Sequence, residues 1–541
     1  MKSRIVRKLR IMGLITLLLF SAVQTAAAFD EEPLLLEFEA MLVSSDRNDT
    51  ARAIELLAAS EHPEQLTLLS LLLEGNLYRN RDDDRLYQLK QHEEGQPAER
   101  LLGDDSRIIE SRRDFRRVVV NNAQRSQIRQ VMALTALSSD QSAKRLAAVK
   151  QLMRDFDEET LSLVRDAYPD ETHPKVRELM AVALAIDTLS QDDAASLSDA
   201  IDTLSRSLEP RARNALMQFS DATDDDGLKA QADAALVKID QKIKFYKGLE
   251  TLYFGLSLGS VLVLAAIGLA ITFGVMGVIN MAHGELIMIG AYTTFVIQQL
   301  MPEHIGLSIL VAIPAAFVVS GLVGIAIERG VIRFLYGRPL ETLLATFGIS
   351  LVLQQAVRSI FSPLNRSVET PSWMSGMLEF NPVFAITLNR LYIILFCFMV
   401  FFALLLILKR TALGLQVRAV SQNRAMARAM GVRSERVDMM TFGLGSGVAG
   451  IAGVALSQIT NVGPNLGQAY IIDSFMVVVF GGVGNIWGTL VAGMTLGVAT
   501  KLVEPVTGAV LAKILVLVFI ILFIQKRPRG LFPQRGRAAE D

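Results

Sequence analysis

Cysteine is nearly missing from this 541-residue chain. Cys397 alone lies inside an apolar run, so no disulfide can form within the chain and cysteine usage is silent on redox compartment. A small buried hydrophobe is its ordinary role. Histidine is scarce too, and His62, His92 and His173 lack the spacing of a zinc motif. The clusters Asp82-Asp83-Asp84 and Asp224-Asp225-Asp226-Gly227 lack the alternating oxygen ligands and distal Glu of a calcium loop. They read as turns and helix caps. No G-x-x-x-x-G-K-[ST] phosphate loop occurs, so any ATPase driving this chain is another polypeptide. No nucleophile, base and acid gather as in a hydrolase, and no metal or cofactor is expected.

Charge is sparse, at 20% of residues against 51% hydrophobic, and unevenly placed. Residues 29–249 carry 42 Asp/Glu and 29 Lys/Arg, a net of −13. Residues 250–541 carry 13 and 20, a net of +7. Neither part is basic enough to suggest nucleic acid as a partner. Residues 1–28 have a basic start (Lys2, Arg4, Arg7, Lys8, Arg10), an apolar run Ile11–Val23 and Ala26-Ala27-Ala28. That is the pattern of an export signal cleaved after Ala28, with uncleaved anchoring as the alternative. The segment from Phe29 to the first apolar span is expected outside the cytoplasm.

Residues 29–249 are poor in aromatic and β-branched runs and rich in Leu, Ala, Arg, Asp and Glu. The expectation is an all-α soluble domain. Ser142–Asp155, Pro174–Leu189 and Pro210–Ser220 each look like a short helix after a polar turn. Their interval suits stacked helix pairs of the HEAT or armadillo kind, or an irregular bundle.

From Leu252 the character changes. Leu252–Gly274, Leu286–Pro302, Ile305–Ile327, Thr342–Val357, Leu391–Leu408, Met440–Thr460, Ser474–Thr500 and Pro505–Gln525 are long apolar stretches, the last broken by Lys513. Uncharged helices of this length cross about 30 Å of hydrocarbon. They predict a polytopic helical domain of eight or nine spans over residues 250–541. Basic residues crowd three segments: Arg329–Arg338, Lys409–Arg436 and Lys526–Arg537. These are expected in the cytoplasm, with the C-terminus. Residues 361–389, with few basic residues, are expected outside.

Glycine breaks the apolar pattern at Gly274–Gly284 and at Gly481-Gly482-Val483-Gly484-Asn485. Non-helical backbone at membrane depth lines a water path or is packed in protein. Conduction and close helix packing both fit these two breaks. For Gly443, Gly445, Gly447, Gly450 and Gly453 packing is the expectation. Asn280, His283 and Glu285 put an amide, an imidazole and a carboxylate beside the first break. They are candidates for the substrate pathway with Gln354, Gly481, Gly482 and Gly484. His283 and Glu285 do not share a face of a regular helix but converge if the backbone breaks at Gly284. A cap on the next helix is the structural alternative for Glu285. Gln355 and Asp473 read as structural.

Thr411–Asp438 is a long basic loop whose centre, Ser421–Gly431, reads as a short helix closed by a left-handed glycine. Met426 and Met430 share its face, which suits docking into a partner groove or lying on the inner leaflet of membrane lipid.

Several stretches in order resemble the permease family of branched-chain amino acid importers of the ABC class. They are Gly255–Ser260, Gly277–Glu285, Gly414–Gly431, Val477–Thr489 and Arg527–Phe532. Within it, Phe273–Met288 and the exported N-terminal domain are similar to the first permease of urea importers. The resemblance implies a bacterial inner-membrane complex that translocates urea, with the N-terminal domain periplasmic. Its partners would be a second permease in a heterodimer, two cytoplasmic ATPases and a periplasmic solute-binding protein. It also makes Gln422, Arg424, Met426, Ala427, Arg428, Met430 and Gly431 the ATPase-coupling residues of loop 411–438. Import of branched-chain amino acids or short amides is the near alternative, and a passive urea channel a further one. The permease half is poor in intramembrane charge, which favours a neutral solute over a zwitterion.

Overall fold

The computed structural model describes residues 32–44, 47–60, 65–89, 92–94, 96–101, 106–109, 111–153, 158–190 and 193–532. The expected export signal and the basic tail beyond Phe532 lie outside the described residues. The chain forms two compact units that divide at residues 239 and 240, with 208–210 belonging to the second.

In the first unit, helices α1 (Glu32–Val43), α2 (Arg47–Ala58) and α3 (Gln65–Glu74) precede five short strands. These are β1 (Leu77–Asn80), β2 (Leu86–Gln88), β3 (Pro97–Arg100), β4 (Ser106–Ile108) and β5 (Phe115–Arg117). They pair antiparallel in the order β4-β3-β2-β1-β5, with Tyr78 opposite Tyr87 and Arg117. The all-α expectation is therefore corrected over residues 77–117. Each strand has three or four residues, too few to register a period of two, and their exposed positions are mostly charged. The alternation is real all the same. Leu77 and Leu86 face a core with Phe38, Ile54, Leu69 and Ile128, while Tyr87, Ala98 and Phe115 pack together in a second cluster.

Helices α4 (Asn122–Leu137), α5 (Ser142–Leu152), α6 (Glu158–Ala167), α7 (Pro174–Thr188), α8 (Ala194–Arg206) and α9 (Pro210–Ala222) complete the series. A reciprocal capping box starts α4: Asn121 accepts from the Gln124 amide and Gln124 accepts from the Asn121 amide. Before α7, Arg145 makes two bonds to the Glu171 carboxylate, at 2.7 and 2.9 Å. The His173 amide adds a third at 2.7 Å. The Arg145 guanidinium thereby holds the Glu171 carboxyl down to about 2.

The second unit is built from helices after residue 240: the latter part of α10 (Asp226–Met276), α11 (His283–Leu300), α12 (Ile305–Gly330), α13 (Pro339–Phe361) and α14 (Leu388–Arg410). A hairpin of β6 (Met377–Asn381) and β7 (Phe384–Thr387) lies in the segment before α14. Then come α15 (Ala412–Gln422), α16 (Arg424–Ala429), α17 (Ser434–Ser457), α18 (Leu466–Gly481), α19 (Ile486–Thr507) and α20 (Ala509–Lys526). Among the described residues seven helices are long and apolar enough to cross a membrane: α10, α12 with the turn before it, α13, α14, α17, α19 and α20. The expected number was eight or nine. The expected span Leu286–Pro302 falls in α11, which is not among the seven, and α18, with 16 residues, is shorter. The run Ser474–Thr500 is divided at Gly482–Asn485 as its glycines suggest.

Helix α17 is the hub of this unit, and its glycines set the packing. A methyl on Gly445 would stand 2.7 Å from the Gly268 carbonyl of α10, and one on Gly453 would stand 2.0 Å from the Ile287 carbonyl of α11. One on Gly450 would meet Ala316 of α12 at 2.5 Å. Helix α12 answers with small buried residues every fourth position: Ser308, Ala312, Ala316, Ser320 and Gly324. Such small-residue faces let backbones approach where no water drives association. Helix α13 is inside out compared with a soluble helix. Its buried stripe is Thr342, Thr346, Ser350 and Gln354, while Leu340, Leu344 and Val352 are exposed at 82%, 70% and 67%. An apolar outer face and a polar inner one suit lipid as the surrounding solvent.

Candidate functional site

Helix α10 ends at Met276 because Gly277 takes φ +67°, and a non-helical turn runs to Ala282. The three polar residues of this region are fully or almost fully buried. Asn280 accepts from the Ala282 amide at 3.0 Å, and its amide nitrogen has no partner. His283 opens α11 with Nε2 2.9 Å from the Ala265 carbonyl. A carbonyl only accepts, so Nε2 donates and Nδ1 is left as an unused acceptor. Glu285 Oε1 accepts from Ser350 Oγ at 2.9 Å and from Gln354 Nε2 at 2.7 Å, while Oε2 is unpartnered. Thr346 binds the same turn, accepting from the Met281 amide at 3.1 Å.

The expected convergence of His283 and Glu285 does not occur. Gly284 is helical, and a methyl on it would stand 2.6 Å from the Gly467 carbonyl of α18. His283 reaches back to α10 and Glu285 across to α13. The break sits earlier, at 277–282. Glu285 does fall in the first turn of α11, where a carboxylate suits the helix dipole. Ser350 and Thr346 were missed in the sequence. The signal was there: polar residues at 342, 346, 350 and 354 recur every fourth position of an otherwise apolar helix.

Gly274, still helical in the last turn of α10 before the first break, touches the second break. A methyl on Gly274 would stand 2.3 Å from the Cα of Gly484. Gly482 and Gly484 have φ of +103° and +80°, which favours glycine at both. A methyl on Gly481 would stand 2.5 Å from the Gly488 carbonyl. A cavity of about 320 Å³ opens beside this contact. It is lined by Gly274 and Gly484, by Lys409 at the end of α14, and by Arg418 and Ser421 of α15.

The loop 411–438 is not one protruding helix. Thr411 caps α15, and Asn423 ends it and caps the six-residue α16 by accepting from the Met426 amide at 2.9 Å. Gln422 is thus the last residue of α15 and not part of the helix carrying Met426. Met426 and Met430 are 60% and 79% exposed, Ala427 is buried beneath them, and Gly431 takes φ +85°. Arg428 donates to Ser434 Oγ at 2.7 Å. Arg424 is a pin: it makes a bidentate pair with Asp438 at 2.6 and 2.9 Å, bonds Tyr336 Oη and stacks on that ring at 4.1 Å.

Residues 251–524 match the family described as branched-chain amino acid transport system / permease component. The chain belongs to this family. It is 32% identical over 298 residues to the high-affinity branched-chain amino acid transport system permease protein BraD of Pseudomonas aeruginosa, covering 53% of this chain and 96% of that protein. It is 31% identical over 299 residues to the permease protein LivH of the corresponding system of Escherichia coli K12, again 53% and 96%. A probable branched-chain amino acid transport permease protein LivH of Methanocaldococcus jannaschii is 26% identical over 290 residues, 50% of this chain and 88% of that protein. No solved structure matches. With seven spanning-type helices and this membership, the chain is a multi-pass permease component. The expectation of urea finds no support in these relatives, which stand nearer to the amino-acid alternative.

Proposed function

We propose that this chain is the membrane permease subunit of an ATP-driven importer that carries branched-chain amino acids across a bacterial inner membrane. The observation that carries this is the match of residues 251–524 to a family, and of nearly the whole length of relatives, named for that solute. The partners are a second permease, two cytoplasmic ATPases and a periplasmic solute-binding protein. The N-terminal unit lies in the periplasm and the C-terminus in the cytoplasm. Met426 and Met430, exposed over the buried Ala427, dock an ATPase. Arg424 holds α16 in place through Asp438.

In this reading the pathway passes the turn 277–282 and the polar face of α13. Asn280 Nδ2, His283 Nδ1 and Glu285 Oε2 are buried with no partner in the protein. Each such atom costs about 1–3 kcal/mol unless something hydrogen-bonds to it. A passing polar solute or water supplies that bond. The Gly274–Gly484 contact, beside the cavity that reaches Ser421, links pathway to loop.

Uptake tests this. Cells carrying the whole importer accumulate labelled leucine, excess unlabelled isoleucine and valine block it, and deletion of this chain abolishes it. Accumulation of urea instead, with leucine untouched by the deletion, would sink the proposal and restore the urea reading.

A further inference from the structure

Four charged side chains of the permease half, Asp473, Lys501, Glu504 and Lys513 on three helices, meet at a cavity of about 220 Å³ lined by α10, α18, α19 and α20. Lys513 Nζ lies 3.4 Å from Asp473 Oδ2, and Lys501 Nζ lies 2.8 Å from Glu504 Oε2. The remaining wall is largely aliphatic, with Leu258, Leu262, Leu496 and Val516.

Two ion pairs in an apolar bundle need a reason. Asp473 is the most withdrawn of the four, and withdrawing a carboxylate from water is costly where a well-packed hydrophobic residue is commonly as stable. Ionisable residues kept inside spanning helices mark solute routes and sites. Asp473 is seven residues into α18, about 10 Å along it at 1.5 Å per residue. The pair is not sealed: the Asp473 side chain is 16% exposed and that of Lys513 56%. At about 30 Å³ per water, the cavity has room for roughly seven waters or a small organic solute.

We propose that this cavity is a subsite for a zwitterionic aliphatic amino acid. The solute ammonium goes to Asp473, its carboxylate to Lys513, and its side chain to the aliphatic wall. One internal ion pair is exchanged for two with the solute, so net charge in the cavity is unchanged. Lys501 and Glu504 hold each other and border the site. This rests on the amino-acid importer reading and deepens it. It also reverses the sequence argument that sparse intramembrane charge favours a neutral solute, because what matters is that the charges converge.

Met476 lines the same cavity, and the chain's one cysteine, Cys397, is fully buried. The test places Met476→Cys in the complete importer in membranes and follows alkylation of this chain by a water-soluble thiol reagent. Saturating L-leucine is expected to slow alkylation about tenfold, corresponding to about 1.4 kcal/mol. Isoamylamine, isocaproate and urea, each lacking one or both charges, leave it unchanged. Asp473→Asn removes the protection by leucine, and Lys513→Arg keeps it. A thiol that never reacts, one that leucine does not shield, or one shielded equally by urea or by either half-molecule overturns the subsite. Leucine uptake by the unsubstituted importer is measured alongside. If it is intact while shielding fails, only the subsite is lost. If urea is imported and leucine is not, the importer reading itself is lost.

Discussion

Replacing Gly274 by Ala tests whether the end of α10 meets the glycine break at 482–485. The added methyl would sit 2.3 Å from the Cα of Gly484, whereas ordinary contacts of a Cβ begin at 3.4 Å. The deficit of about 1.1 Å cannot be absorbed by a flexible side chain, since the neighbour is backbone. Nor is that backbone free to move. The Asn485 amide donates to the Gly482 carbonyl at 3.1 Å, and the amides of Leu531 and Phe532 donate to Phe480 and Gly481 at 2.9 and 3.2 Å. Overpacking of this kind costs about 1–3 kcal/mol. Alanine recovers about 0.5–1 kcal/mol of helix preference in α10. The net expectation is a loss of about 1–2 kcal/mol and a lower temperature of aggregation in detergent, read by size-exclusion chromatography after heating. Leucine uptake per molecule inserted should fall as well. Gly248→Ala is the internal control. It lies in the same helix with nothing within 4 Å of the added methyl, and should be neutral or slightly stabilising. If Gly274→Ala behaves like Gly248→Ala in both assays, the close approach of α10 to the break at 482–485 is refuted.

Met426→Asp with Met430→Asp should leave the protein in the membrane but uncouple it, with leucine uptake and solute-stimulated ATP hydrolysis both lost, because a charge on each exposed residue cannot enter an apolar groove. Arg424→Ala should lower stability by about 2–3 kcal/mol, since it strands the buried Asp438 carboxylate; Arg424→Ala with Asp438→Asn should recover part of that in the same thermal assay. Ser350→Ala with Gln354→Leu removes both donors to Glu285 Oε1 and should cut leucine uptake more than it cuts protein level, whereas Gln355→Leu, on the exposed face of α13, should do neither. For the Arg145–Glu171 pair, the folded carboxyl sits at about 2, below its ordinary value of 4.5, so it stabilises the first unit above about pH 4.5 and that contribution fades as pH falls toward 2. Glu171→Gln should therefore flatten the dependence of chemical-denaturation midpoint on pH over that window, and an unchanged slope would contradict the pair.

Much of the plan was legible in the residues because composition alone separates aqueous from lipid surroundings. Uncharged runs such as Ile305–Ile327 and Leu391–Leu408 had to be spanning-type helices, and both are. Glycines at 443, 445, 447, 450 and 453 had to serve close packing, and they do. The break at Gly482–Asn485 also stood where its glycines put it. The strands of residues 77–117 were illegible, because three- and four-residue segments carry no usable periodicity and their stability comes from neighbours. The number of spanning-type helices is lower than expected because Leu286–Pro302 falls in α11, where His283, Glu285, Gln298 and Gln299 at the two ends dilute the apolar run. Lys501 and Glu504 pair within one helix at i,i+3, whereas the pairing of Asp473 with Lys513, forty residues apart, is a matter of packing alone.

By itself, then, the order of residues determined which half lives in lipid, where the helices break and which family the chain belongs to. These are local properties, set by runs and spacings along the chain. Only the tertiary structure decided that His283 turns to α10 and Glu285 to α13, that Gly274 meets Gly484, and that Asp473 and Lys513 meet at one cavity with Lys501 and Glu504. The physical reason is that helices in lipid meet through small residues and shared hydrogen bonds. Which residues share such a contact depends on how each helix is rotated against its neighbours, and no single helix encodes that.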